Sequence, residues 1–180
     1  MGSAQPVFTT ERLVVRPWTP DDTDALFDIL GRWEVAQWLG AVPKALESAE
    51  AAVATIERWA TFSEPDPTYG IWAMVPTGST RPVGTVLLKA LPDADGTPTP
   101  DIEVGWHLNP EVWGCGYATE AARGALARGF AAGLAEVLAV VRPGNARSVA
   151  VCERLGMERL GLVDRYYGQP LETFRARRPA

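Results

Sequence analysis

The stretch Trp113-Gly114-Cys115-Gly116-Tyr117-Ala118-Thr119-Glu120-Ala121 follows an apolar run and opens a long alanine-rich helical pattern, which marks a strand-to-helix turn. Two glycines separated by one residue let the backbone turn its N–H groups inward with no Cβ in the way. The helix that follows adds the positive end of its dipole. Such a turn is built to hold phosphate, and a pyrophosphate is its natural guest.

The chain around this turn reads as a single domain over residues 1–180, because 180 residues at 47% hydrophobic make one sizeable core and are short for two. With 17 basic and 22 acidic residues the net charge is −5, which argues against nucleic acid or an anionic membrane as the main partner and favours small ligands or cationic groups. Cys115, Cys152 and the single His107 supply neither a disulfide framework nor a tetrahedral metal set, so a metal-free, cytoplasmic protein is expected. The first residues lack a signal-peptide pattern, and no run of about 18 apolar residues occurs that could span a membrane.

Leu13–Pro17 is a short β-type run, and Thr19-Pro20-Asp21-Asp22 then starts a helix expected to reach Gly31. Trp33–Leu39 reads as a short aromatic helical segment, and Ser48 caps a helix with Ala52, Ile56, Trp59 and Ala60 at helical spacing. Tyr69–Val75 and Val83–Leu88 form a hairpin, Pro92–Pro100 is rich enough in breakers to predict a loop, and Ile102–Leu108 is the next strand. After the glycine turn come a helix over Ala118–Ala132, a buried strand over Val137–Val141, and a helix from Asn145 to Leu155 that ends at Gly156. Glu158–Val163 and Leu171–Arg177 close the chain as strands.

A dinucleotide-binding turn fails in detail: Thr119 occupies the third glycine position, the turn arrives after more than half the chain, and one helix-and-strand unit follows it. A different pattern covers nearly the whole chain. Thr10-Glu11-Arg12-Leu13 with Arg16-Pro17, Glu103-Val104-Gly105-Trp106, the glycine turn, Asn145 with Ser148, and Glu153-Arg154-Leu155-Gly156-Met157 appear in that order. In this combination the sequence resembles the GNAT-family N-acetyltransferases, especially the branch similar to ribosomal-protein alanine and serine N-acetyltransferases.

The resemblance implies an α/β (α+β) fold whose mixed, mostly antiparallel seven-stranded sheet splays between its fourth and fifth strands. It also implies acetyl-coenzyme A as co-substrate, a primary amine acceptor (a small molecule or a protein N-terminus), and a homodimer; the alternatives are another acyl donor such as succinyl-coenzyme A, or a non-catalytic acyl-coenzyme A binding module. The pyrophosphate would lie on Trp113, Gly114, Cys115, Gly116, Tyr117, Ala118 and Thr119, with Trp113 where the family usually has glutamine or arginine. His107 and Leu108 would pair with the pantetheine amides, and Asn145 and Ser148 would lie beside the thiol.

An alkyl ammonium has a pKa of about 10, so direct transfer needs a base. Glu103 is the candidate, because it lies in an apolar strand where loss of hydration would tune it for that duty. Its alternative is a charge on a solvent-facing pleat with Asp101 and Gly105. Many family members carry a tyrosine seven residues after the asparagine; here that position is Cys152, read as small core, which leaves Ser148 as the candidate proton donor to the thiolate. Arg123, Arg128, Arg147 and Arg154 are candidates for the nucleotide's 3′-phosphate. Trp33 and Trp38 are candidates for an aromatic wall on the acceptor side, with ordinary core packing as the alternative.

Overall fold

The computed structural model describes residues 5–63 and 65–179. Its sheet has eight strands: β1 (Phe8–Thr9), β2 (Leu13–Pro17), β3 (Gly70–Pro76), β4 (Gly84–Pro92), β5 (Pro98–Leu108), β6 (Glu136–Val141), β7 (Glu158–Val163) and β8 (Leu171–Arg177), in the order β1-β2-β3-β4-β5-β6-β8-β7. The helices are α1 (Thr23–Leu30), α2 (Trp33–Ala36), α3 (Ala49–Ala60), α4 (Tyr117–Ala131) and α5 (Ala146–Arg154). The seven expected strands are all present. The eighth is β1, whose two residues pair with Val14 and Val15 and are too few to show an alternation of their own.

All neighbouring strands run antiparallel except β5 and β6, which are parallel and share a single registered pair, Glu103 with Leu138. Beyond that pair the two strands part, and the sheet opens there.

Alternation of side chains sorts the two faces. Leu13, Val15, Trp72, Met74, Val86, Leu88 and Val104 pack against Ala121, Ala122 and Ala125 of α4. The small residues of that helix permit close approach: a Cβ on Gly124 would stand 2.5 Å from the Phe8 ring. On the opposite face Ala73 and Val75 pack beneath α1 and α3 with Trp18, Leu26, Ile29, Ala52 and Ile56. Ser48 Oγ accepts from the Ala51 N–H at 3.2 Å and caps α3.

The expected loop over Pro92–Pro100 is mostly the end of a long β4–β5 hairpin. Pro92 faces Pro98 beyond a register shift, a place where a ladder tolerates the missing N–H groups. Asp93 Oδ1 closes the turn by accepting from the N–H groups of Asp95 and Thr97, each at 2.9 Å. Among the described residues no helix is long and apolar enough to cross a membrane.

Candidate active site

A cleft of about 1430 Å³ occupies the opening between β5 and β6. It exceeds the usual range of small-ligand pockets, roughly 300 to 1000 Å³, and has room for a large nucleotide and a second ligand.

One end of the cleft is the glycine turn. Gly114 and Gly116 have φ of 83° and 84°, a region open to glycine and strained for other residues. Gly116 is the N-cap of α4, so the first-turn N–H groups of Tyr117, Ala118 and Thr119 have no acceptor inside the helix. Gly114, Gly116, Tyr117, Ala118 and Thr119 all line the cleft, and Cys115 is exposed within the same turn.

Thr10 and Arg12 fix this turn from outside. Glu120 Oε1 accepts from Thr10 Oγ1 at 2.6 Å and from the Arg12 N–H at 2.8 Å, while Oε2 accepts from Arg12 Nε at 2.7 Å. Arg12 Nη1 also donates to the Cys115 carbonyl at 3.0 Å. Burial pushes the Glu120 carboxyl up, but Thr10 and Arg12 outweigh it and hold the group below its ordinary range. The sequence motif Thr10-Glu11-Arg12 thus clamps the start of β2 to the first turn of α4, a role its sequence pattern did not disclose.

The β5 edge that faces the opening is set by the ladder. The Asn109 N–H donates to the Val83 carbonyl at 2.9 Å, and Gly84 faces Leu108. Alternation then turns the backbone groups of Glu103, Gly105 and His107 toward β4, and those of Val104, Trp106 and Leu108 toward the opening. The expectation that His107 offers backbone groups to pantetheine is therefore corrected: its backbone faces β4, and the backbone groups that face the opening here are those of Trp106 and Leu108. The Leu108 carbonyl already accepts from Trp113 Nε1 at 3.0 Å, and Arg147 stacks its guanidinium 4.4 Å from the centroid of Trp113.

The His107 side chain lines the cleft instead. It is 9% exposed, its Nε2 has no partner among the described residues, and burial lowers the imidazole pKa to about 4, so the ring is neutral.

Glu103 is buried on the α3 side of the sheet, which excludes the solvent-facing pleat. Its surroundings are less apolar than its strand neighbours suggest. Lys89, directly opposite on β4, places Nζ 2.6 Å from Oε1, and the Tyr167 hydroxyl donates to the same oxygen at 2.5 Å. Burial, then the Glu103 charge and this hydrogen bond, push the Tyr167 phenol far above its ordinary value. Tyr167 has a φ of 55°, the one positive φ on a non-glycine residue among those described, and such strain clusters at functional sites.

Asn145 Oδ1 caps α5 by accepting from the Ser148 N–H at 3.2 Å, and both residues line the cleft. Cys152 lies in the main core, outside the lining of the cleft, and burial pushes its thiol up to about 12. Arg128 is taken up by the carbonyls of Pro67, Thr68 and Val7 and does not line the cleft, whereas Arg123, Arg147 and Arg154 do. Trp38 lines the cleft; Trp33 is 56% exposed and lies outside its lining, which corrects the expected pair of acceptor-side tryptophans. Trp59, Lys89, Arg142, Tyr167 and Gln169 are cleft residues that the sequence reading did not select as functional.

Residues 12–158 match the family model described as Acetyltransferase (GNAT) domain. YoaA, an uncharacterized N-acetyltransferase of Bacillus subtilis, is 28% identical over 173 residues, 93% of each chain. A crystal structure of an acetyltransferase from Agrobacterium tumefaciens superposes with a TM-score of 0.78 at 24% identity, covering 98% of this chain and 96% of that one. A ribosomal alpha-N-protein acetyltransferase in complex with coenzyme A superposes with a TM-score of 0.77 at 14% identity, covering 96% and 98%. At these identities the likeness to solved structures is one of fold.

Proposed function

The chain belongs to the GNAT acetyltransferase family, and from that premise we propose that it transfers acetyl from acetyl-coenzyme A directly to a primary amine. The observation that carries this reading is the Gly114–Gly116 turn at the N-terminus of α4, opening into a cleft where β5 and β6 part.

The residues present fit the coenzyme. Two positive-φ glycines and the free first-turn N–H groups suit a pyrophosphate. Arg123, Arg147 and Arg154 add positive charge beside it, and the backbone groups of Trp106 and Leu108 suit the pantetheine amides. When bound, the coenzyme supplies an acetyl thioester.

Both contacts to Glu103 fall on Oε1, which leaves Oε2 to accept a proton from the acceptor ammonium, directly or through water. Lys89 and Tyr167 hold the carboxylate in one orientation. Ser148, on the first turn of α5, is the candidate to pass its hydroxyl proton to the departing thiolate while taking up the proton that the attacking nitrogen sheds as the amide forms. Preorganised N–H donors at the splay would polarise the thioester carbonyl.

The test is a calorimetric titration with acetyl-coenzyme A beside free adenosine nucleotides and a dinucleotide. Micromolar binding, about 8 kcal/mol, is expected for the acyl-coenzyme. Binding of the dinucleotide alone overturns the reading.

A further inference from the structure

The chain carries a net charge of −5, yet the acceptor half of its cleft is basic. Lys44, Arg58, Lys89 and Arg142 line the cleft with Glu103, while its other two carboxylates, Glu11 and Glu120, belong to the segments at the glycine turn. Lys89 is neutralised by Glu103, and Lys44 has Glu47 at 3.5 Å. Arg58 is exposed to water, and Arg142 differs from all three, because it is withdrawn from water and its hydrogen bonds go to neutral acceptors. Nη1 donates to Gln169 Oε1 at 2.6 Å, and Nη2 donates to the carbonyls of Gly40 at 2.7 Å and Ala41 at 2.9 Å. Its Nε is buried with no partner, and no carboxylate among the described residues pairs with it. Withdrawal from water lowers its pKa, the mark of a cation whose desolvation is not offset by an anion.

Arg142 also lies on the correct face. Val137, Ala139 and Val141 point into the core beneath α4, so Leu138, Val140 and Arg142 project to the other side, the side of Glu103 and His107. Leu138 is in register with Glu103, which puts Arg142 four residues, roughly 13 Å, further along the opening. One loop joins the two charges: Tyr167 binds Glu103 and Gln169 binds Arg142. The acceptor half thus presents a carboxylate at its base and an unbalanced guanidinium beyond it.

We infer that the acceptor is a small amino-carboxylate, its amine beside Glu103 and its carboxylate on Arg142. This rests on the acetyl-transfer reading above and narrows its acceptor. A polyamine would place its second cation against Arg142, and a protein N-terminus carries no carboxylate at a fixed distance from its amine. The net charge alone favoured cationic partners; the local field inside the cleft reverses that preference.

The experiment follows thiol release from acetyl-coenzyme A with matched acceptors: α- and ω-amino acids, their carboxamides, a linear polyamine, and an alanine-initiated peptide amide. Amino acids are expected to exceed their carboxamides in kcat/KM by roughly tenfold to a hundredfold, the worth of one charge-assisted hydrogen bond. Gln169→Glu keeps the bond to Arg142 Nη1 and neutralises the guanidinium, though it gives up the long Nε2 bonds to the Gly40 and Ala41 carbonyls, so it should raise KM for the amino acid about tenfold and leave acetyl-coenzyme A affinity unchanged. Arg142→Met should do the same, with partial recovery in Arg142→Lys. Equal rates for amino acid and carboxamide, or a preference for the polyamine or peptide, overturn this inference while leaving acetyl transfer intact. Release from none of the amines overturns both.

Discussion

Lys89 and Glu103 face each other across β4 and β5, Nζ 2.6 Å from Oε1, with side chains only 14% and 7% exposed. A pair this far from water is sensitive to loss of either member, because the survivor is left as a buried unpaired charge. Lys89→Met should therefore destabilise the fold by about 3 kcal/mol, and the double variant Lys89→Met/Glu103→Gln should recover most of that loss. Urea denaturation of the four proteins checks it; additive losses would show that the two side chains do not act as a pair.

Glu103→Gln keeps the shape of the side chain and removes the base. Turnover should fall roughly a hundredfold with little change in acetyl-coenzyme A affinity. Steady-state turnover equal to the parent's would remove Glu103 from proton transfer.

Gly116 has a φ of 84°, and a Cβ there would lie 3.2 Å from Arg12 Nη2. A Cβ at Gly114, with φ of 83°, would meet nothing within 4 Å. Gly114→Ala should cost only backbone strain, about 1 kcal/mol, whereas Gly116→Val should also displace Arg12 and abolish coenzyme binding. Calorimetry on both variants distinguishes the two, and intact binding in Gly116→Val would mean that the cradle does not hold the pyrophosphate.

Features that rest on local chemistry were legible in the chain. The glycine turn, the Ser48 cap and the apolar spacing of α3 each lie within a few neighbours, so residue order alone describes them. What escaped depends on distant segments meeting. Tyr167 reaches Glu103 across 64 positions and Arg12 reaches Glu120 across 108, and no periodicity connects such residues. Pro92 and Pro98 read as breakers because the register shift that accommodates them is a property of the paired hairpin. Arg142 reads as one more arginine until Gly40, Ala41 and Gln169 close around it.

Asp22 couples the start of α1 to β2. Its Oδ2 accepts from Arg16 Nη1 at 2.7 Å and from the Thr19 N–H and hydroxyl, and its Oδ1 accepts from Arg16 Nη2 at 2.8 Å. Burial raises the Asp22 carboxyl, but Arg16 and Thr19 outweigh it and hold the group below its ordinary value. A depressed folded pKa contributes stability above the unfolded pKa, about 3.9, and that contribution is lost as pH falls through the lower folded value. The parent should lose stability from about pH 5 downward more steeply than Asp22→Asn, which should start about 2 kcal/mol lower at pH 7. Parallel acid-denaturation slopes for the two proteins would deny the coupling.

Ser148 and Cys152 divide the remaining question of the proton donor. Cys152 is wholly buried among Met157, Phe174 and the α4 alanines, and its raised thiol pKa reflects that apolar surrounding. Cys152→Ala should therefore lower stability by about 1 kcal/mol through lost packing and leave kcat near the parent value. Ser148→Ala should lower kcat roughly tenfold or more without weakening acetyl-coenzyme A binding. Thiol labelling supplies an independent check of burial: in the native protein exposed Cys115 should react quickly and Cys152 only after unfolding. Loss of turnover in Cys152→Ala with stability intact would return the donor role to the thiol, and equal kcat in Ser148→Ala would assign it to neither.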